Sequence, residues 1–333
     1  MTTEVILSPT PELQPSTVTT ALVPPVLPSL VAAAGERAGI RFLEFFAAQI
    51  RNPHTRRAYA RAVGEFLVWC EGVGLTSLAA VQPLHVATWI EGLTHQVSAP
   101  TVKQQLAAIR HLFHWLVTGQ VVPVNPAASV RGPRHVVRSG KTKVLEPAEA
   151  RHLLDSISVS TPAGLRDRAL ISVMVYSFAR IGAALAMKVD DVYTQNRRLW
   201  VRLHEKGGKD HAMPCHHHLD EALAAYLEID GIVTDPEGPL FRTIGRGTGT
   251  LTRTALPQAN AYDMIRRRAE AAGIKTKIGN HSFRATGITA YLKNGGTLEK
   301  AAVMANHAST RTTQLYDRRR DEMSLDEIEL IRI

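Results

Sequence analysis

The sequence predicts a mainly α-helical protein of two domains, the second carrying a small antiparallel sheet. Three observations predict it. The chain has 333 residues, enough for two domains at roughly 100–200 residues each. Apolar residues recur at helical spacing through most of it. One stretch after residue 197 alternates instead, around a glycine turn. At 45% hydrophobic and 21% charged, the composition is that of a globular chain able to bury sizeable cores.

Residues 1–35 contain Pro9, Pro11, Pro15, Pro24, Pro25 and Pro28, which interrupt any helix or central strand. They read as a disordered arm, although "ALVPPVLPSLV" is apolar enough to dock on something. Residues 36–130 read as a small all-α domain. In "HTRRAYARAVGEFLVWC", Tyr59, Val63, Phe66, Leu67 and Cys70 form one helical stripe, with Arg56, Arg57 and Arg61 off it. In "TVKQQLAAIRHLFHWL" the stripe is Val102, Leu106, Ile109, Phe113 and Leu116, with Lys103 and Arg110 off it. Pro53 and Pro100 suit helix starts, and a further helix is expected over about 83–94. Residues 131–143 carry Arg131, Arg134, Arg138, Lys141 and Lys143 without an acid, and read as an extended basic linker.

The second domain is expected over 144–323. "LRDRALISVMVYSF" reads as a buried helix, and "RRLWVRLHEKGGKDHAMPC" as strand, glycine turn, strand. "QANAYDMIRRRAEAAG" and "SFRATGITAYLKNGG" read as helices, the latter stopped by Gly295 and Gly296. "GRGTGT" lacks the lysine of a phosphate-binding P-loop and reads as a flexible loop. "SLDEIELIRI", residues 324–333, has capping-box spacing at Ser324 and Glu327 and is too apolar for a free short helix, so it needs a groove.

Lys and Arg number 39 against 30 Asp and Glu, a net charge of +9 that points to an anionic partner, with nucleic acid first. A merely basic soluble protein is the plain alternative. Two distant cysteines, Cys70 and Cys215, suit a reduced, cytoplasmic protein. No apolar run approaches the ~18 residues of a membrane span. The start carries Glu4 and Glu12, and no Lys or Arg precedes Arg37, unlike a signal peptide. "CHHH", residues 215–218, has metal-ligand types, but consecutive residues point in different directions and no second cluster supports them. Neither metal nor cofactor is expected.

Several residues carry possible chemistry. Arg180 follows an apolar helix and is costly to bury unpaired. Lys206 sits at the tip of a glycine hairpin. His281 and Arg284 are three apart at a helix start, on one face, where free N–H groups attract phosphate. His307 and Tyr316 follow. Singly, each has an ordinary reading: a salt bridge, an exposed turn lysine, a cap, a structural histidine, a core tyrosine. The ordered set is far less expected by chance.

In that order the sequence resembles the tyrosine recombinase/phage integrase family, in an Xer-like form. "NHASTRTTQLYDRR" looks like the family's G-H-x-S-x-x-T-T-x-x-Y segment, with Asn306 in place of the usual glycine. Ala183 stands three after Arg180, where the family commonly has a glutamate that holds the arginine; Asp167 or another acid is the expected substitute. The resemblance implies a site-specific recombinase whose domains clamp double-stranded DNA. It implies Tyr316 as the nucleophile of a 3′-phosphotyrosine intermediate. Arg180 and Arg284 would hold phosphoryl oxygens, Lys206 would protonate the leaving 5′-oxygen, His281 would assist Tyr316, and His307 would donate to the phosphate. Arg56, Arg57, Lys103, Arg110, Arg131, Arg134, Arg138, Lys141 and Lys143 are the expected DNA contacts. The expected assembly is a homo-tetramer on two DNA sites, or this chain with a partner recombinase, with 324–333 exchanged between subunits. A non-catalytic DNA-binding protein of the same fold and a type IB topoisomerase are the alternatives.

Overall fold

The computed structural model describes residues 27–136, 140, 142–205, 208–317 and 331. The chain divides into two compact units, 1–136 and 137–333.

Among the described residues, the regular elements of the first unit are all helical. Helices α1 (Ser29–Ala33) and α2 (Glu36–Glu44) lead through a wide turn, Phe45–Gln49, into α3 (Pro53–Gly72), α4 (Pro83–Thr94) and α5 (Ala99–Thr118). Asn52 caps α3, its side chain accepting from the N–H groups of His54 and Thr55, and Pro53 fills the first helical position. The stripes Val63, Phe66, Leu67, Cys70 and Val102, Leu106, Ile109, Phe113, Leu116 are buried in one core, with Tyr59 packed on its edge. Each large side chain so buried contributes roughly 1.5–3 kcal/mol. The Trp115 indole N–H donates to the Arg41 carbonyl at 2.9 Å, fixing α2 on α5.

The N-terminal arm departs from expectation in its last residues. Leu30 and Val31 of α1 are buried in this same core. Pro28 stands just before the helix, where proline does no harm, and the apolar run following it has a groove to fill. Residues 1–26 lie outside the described residues.

In the second unit α7 (Pro162–Tyr176) is buried along most of its length, its paired Arg166 and Asp167 included, and packs against α9 (His217–Leu227) and α11 (Asn280–Lys293). Around it lie α6 (Pro147–Asp155), α8 (Ile181–Leu185), α10 (Gln258–Ala271), α12 (Leu298–Met304) and α13 (Thr310–Gln314). Gly287 sets the approach of α11 to α7: a Cβ there would lie 2.0 Å from the Val175 carbonyl oxygen.

The expected hairpin is β2 (Arg198–Glu205) with β3 (Lys209–Pro214), antiparallel, and a third strand, β1 (Val192–Gln195), joins its edge. Asn196 and Arg197 turn from β1 into β2 with φ of 50° and 61°. Both are left-handed, as a two-residue hairpin turn requires, but Asn-Arg is not the Asn-Gly by which such turns are recognised. The "GRGTGT" segment is a loop, as expected. It joins β4 (Arg242–Ile244) to β5 (Leu251–Ala255), a second small hairpin too short to show an alternating pattern.

Candidate active site

Five of the six residues expected to carry chemistry come together in the second unit. Arg284 is set one turn into α11, 1% exposed. Its Nη1 donates to the Phe178 carbonyl, and its Nη2 to the Ala305 carbonyl at 2.5 Å and to His307 Nε2 at 2.7 Å. Its Nε has no hydrogen-bond partner among the described residues. No carboxylate lies within 4.0 Å of it among the described residues. Burial, with the Arg180 charge nearby, lowers its pKa to about 10, so it remains a cation at neutral pH. A buried cation held only by neutral groups is costly, and an anion is what the position lacks.

Phe178 makes that contact possible. It has φ of 54°, a left-handed conformation uncommon outside glycine, and its buried ring meets Tyr291 edge-on at 6.1 Å. The bend turns its carbonyl to Arg284 and leads into Arg180, the residue that opens α8.

Arg180 has its acid. Its Nη1 lies 2.6 Å from Glu205 Oε2, and the Glu205 side chain is 4% exposed. The acid is thus not Asp167 but another, the second of the two possibilities left open by the sequence. Asp167 is already held between Arg166 at 2.6 Å and Arg268 at 2.9 Å, where it fastens α7 to α10. Glu205 was legible in principle: Val201, Leu203 and Glu205 alternate on the buried face of β2.

His307 follows α12 through Asn306, whose φ is 45°. That conformation explains why the position takes glycine or asparagine. An arginine can only donate, so His307 Nε2 accepts from Arg284, and the ring proton sits on Nδ1, donating to Thr313 Oγ1 at 2.9 Å. Burial and the Arg284 and Arg180 guanidiniums push the imidazole down to about 4, so it is neutral at pH 7. Both nitrogens are therefore engaged. In this state His307 orients Arg284, and donating to phosphate requires it to release that contact first.

Tyr316 follows α13. Its carbonyl accepts from Thr289 Oγ1 at 2.9 Å, and the preceding carbonyl, of Leu315, accepts from Gly140 N–H at 2.9 Å. Its ring stacks on His307 with centroids 5.7 Å apart, and packs on the small cluster of Phe178, Ile288, Leu292, Ala301 and Ala305. Its hydroxyl is 2.8 Å from His281 Nε2. Partial burial and the charges of Arg284 and Arg180 hold His281 below the usual imidazole range, so it can accept the phenolic proton. Arg180, Glu205, His204 and His281 line a cavity of about 450 Å³. Lys206 lies outside the described residues, immediately after Glu205. The chain thus presents a tyrosine hydroxyl beside a neutral imidazole, with the charges of Arg180 and Arg284 close to that ring.

The expected DNA contacts differ in exposure and in partners. Arg57, Lys103, Arg131, Arg134 and Lys143 are exposed. Arg56 spends its Nε on the Ile50 carbonyl. Arg110 departs from a phosphate contact: its Nε and Nη2 donate to the Ala127 and Val130 carbonyls and fasten the chain beyond α5. Arg138 and Lys141 lie outside the described residues. Among the described residues there is no cluster of three or more metal-ligand side chains, and no helix is long and apolar enough to cross a membrane. In "CHHH", the His216 ring stacks on Tyr176 at 4.5 Å.

Known proteins share both sequence and fold. Residues 143–323 match the phage integrase family, and residues 40–120 match the phage integrase N-terminal SAM-like domain. The tyrosine recombinase XerD of Mycobacterium tuberculosis is 28% identical over 279 residues, covering 79% of this chain and 86% of that protein. XerD of Corynebacterium glutamicum is 27% identical, covering 80% and 87%. The structure of XerH recombinase bound to its difH substrate superposes with a TM-score of 0.64 at 18% identity, over 93% of this chain and 97% of that one. A lambda integrase dimer bound to a COC′ core site gives 0.64 at 18% identity, over 86% and 96%. With the family match spanning more than half its length and ending just past Tyr316, the chain belongs to the phage integrase family, the tyrosine recombinases that cut and rejoin DNA strands at specific sites.

Proposed function

We propose that Tyr316 is the nucleophile of this recombinase and that Arg180 and Arg284 are the cations that receive the scissile phosphate. The observation that carries this reading is the pairing of a tyrosine hydroxyl 2.8 Å from His281 with a buried arginine that has no carboxylate within 4.0 Å among the described residues. A free tyrosine has a pKa of about 10 and is mostly protonated at neutral pH, so it needs a base. His281 Nε2 takes the phenolic proton as Tyr316 Oη bonds to phosphorus. The P–O5′ bond breaks, and Lys206 gives its proton to the leaving oxygen. Charge gathers on the non-bridging oxygens in the transition state, where two fixed guanidiniums stabilise it most. The 3′-phosphotyrosine ester keeps the energy of the diester, so the 5′-hydroxyl of a second strand attacks it without ATP.

Four copies acting on two double-stranded sites, alone or with a partner recombinase, are the assembly this chemistry needs for reciprocal exchange. The exposed Arg57, Lys103, Arg131, Arg134 and Lys143 are the proposed phosphate contacts.

The test is a nicked suicide substrate, on which rejoining is blocked. Wild type accumulates a protease-sensitive covalent protein–DNA adduct. Tyr316→Phe binds the same DNA with near-wild-type affinity and forms none. An adduct formed by the phenylalanine variant rules Tyr316 out. Absence of any adduct with wild type favours a non-catalytic binder. Recombinant joints between two marked sites separate strand exchange from simple relaxation.

A further inference from the structure

We propose that Thr313 is a positioning residue for this reaction: its buried hydroxyl fixes the tautomer of His307 and, through that ring, the hold on Arg284. The inference rests on the reading of Arg284 as a cation that receives the scissile phosphate.

Two threonines stand side by side on α13, and only the second faces inward. Thr312 is exposed, whereas Thr313 is 0% exposed. The two oxygens of Thr313 serve different partners. Its carbonyl accepts the Tyr316 N–H at 2.9 Å. Its hydroxyl oxygen lies 2.9 Å from His307 Nδ1. One residue is thereby joined to Tyr316 through its backbone, and to Arg284 through its side chain and one imidazole. The Tyr316 ring covers that same imidazole, nearly parallel to it at 11°. The backbone link would survive any side chain at 313. The link to His307 would not.

A neutral imidazole has one N–H, so one of its nitrogens donates and the other accepts. Arg284 Nη2, 2.7 Å away, can only donate, and Nε2 has to present a lone pair to it. The proton then belongs on Nδ1, where it needs an acceptor. Thr313 Oγ1 is the acceptor the fold provides, on a side chain closed to water. Burial and the guanidiniums of Arg284 and Arg180 keep the ring from taking a second proton at pH 7.

Valine in place of threonine nearly keeps the shape and removes the acceptor. The ring then has two poor choices. With its proton kept on Nδ1, a buried donor is left unpaired. With its proton moved to Nε2, two donors face each other. Arg284 then loses one of the three neutral acceptors that hold it among the described residues. Either outcome displaces the guanidinium. The plain alternative is a threonine that only fills space, and its loss would act on the fold without passing through His307.

Two measurements on the full chain separate these roles. The first is the tautomer of His307, read from ring ¹⁵N–¹H correlations and assigned by the signal missing from His307→Gln. Wild type and Thr313→Ser carry the proton on Nδ1. Thr313→Val carries it wholly or in part on Nε2. The second is single-turnover adduct formation on the nicked suicide substrate. Thr313→Val is slower than wild type by about 10- to 10²-fold, the scale that a misplacement of about 1 Å costs. Thr313→Ser stays close to wild type. In a His307→Gln background Thr313→Val adds no further loss, because the residue it acts through is already gone. Thr313→Cys, a weak acceptor of similar size, gives the valine pattern if Thr313→Val does not fold.

A wild-type proton on Nε2, or a tautomer that valine leaves unmoved, overturns the inference. Losses that multiply in the double variant, or a serine variant as slow as valine, also overturn it and leave Thr313 a packing residue. His307→Gln cleaving at the wild-type rate breaks the second link, from His307 to Arg284. Absence of any adduct from wild type, with the tautomers as expected, overturns instead the reading of the site as catalytic.

Discussion

Arg284 keeps its charge where water cannot reach it, and the residues around it exist to make that tolerable. Phe178 and Ala305 give carbonyls, and His307 gives a lone pair. Two of these depend on backbone bends at left-handed residues, Phe178 and Asn306. Asn306→Gly is therefore expected to leave the melting temperature and cleavage rate nearly unchanged. Asn306→Ala should cost about 1–2 kcal/mol, the strain of placing a β-carbon in that conformation. Equal melting temperatures for the two would show that the bend is not under strain. His307 gives a pH signature as well. Its folded pKa is depressed from about 6.5 to about 4, so between those values the unfolded chain binds the extra proton. The stability it contributes is complete above pH ~6.5 and declines as pH falls to ~4. Over that window the melting temperature of wild type should approach that of His307→Gln. A constant gap would mean the imidazole is not held neutral.

At the scale of elements, two buried acids with different jobs separate fold from function. Asp167 lies between Arg166 and Arg268 and joins α7 to α10. Glu205 ends β2 and steadies Arg180. Asp167→Ala leaves buried guanidinium charge unmatched and is expected to cost about 3–5 kcal/mol. Its surviving folded fraction should still form the covalent adduct at close to the normal rate. Glu205→Gln keeps shape and an acceptor. It should melt within a few degrees of wild type yet form adduct roughly 10²-fold more slowly, because Arg180 is no longer held in place. Finding the two phenotypes exchanged would reverse these assignments. Apolar spacing marked α3, α5, α7, α10 and α11 because each has a long face to bury. Strands β1, β4 and β5 span only four, three and five residues, too few for a period to emerge, although each pairs with its neighbour along the chain.

For the whole molecule, the proposal concerns the segment after Tyr316 and how one active site is coupled to another. Residues 324–330 lie outside the described residues, and the prediction comes from their composition: Leu325, Ile328, Leu330, Ile331 and Ile333 need an apolar groove. We propose that a neighbouring subunit provides it, with head-to-tail docking closing a ring. Deleting 324–333 should then leave the melting temperature and single-site binding nearly unchanged and abolish cooperative binding and synapsis of two sites. Unfolding of the isolated monomer on deletion would place the segment in its own core instead.

The sequence by itself marked the candidates and their order: Arg180, Lys206, His281, Arg284, His307 and Tyr316 stood out as a set through their resemblance to a family, and the long amphipathic stripes through their local spacing. It also marked Asn306 as a departure, though not as a bend. Tertiary structure alone decided who serves whom. Arg180 is held by Glu205, 25 residues away, and Arg284 by carbonyls 106 and 21 residues away. It also turned Arg110 from an apparent surface cation into a fastener, and drew Leu30 and Val31 of the proline-rich arm into a core. The physical reason is the same in each case. A buried charge or apolar side chain is satisfied by whatever the fold brings within a few ångströms, and that distance is not written in the local pattern.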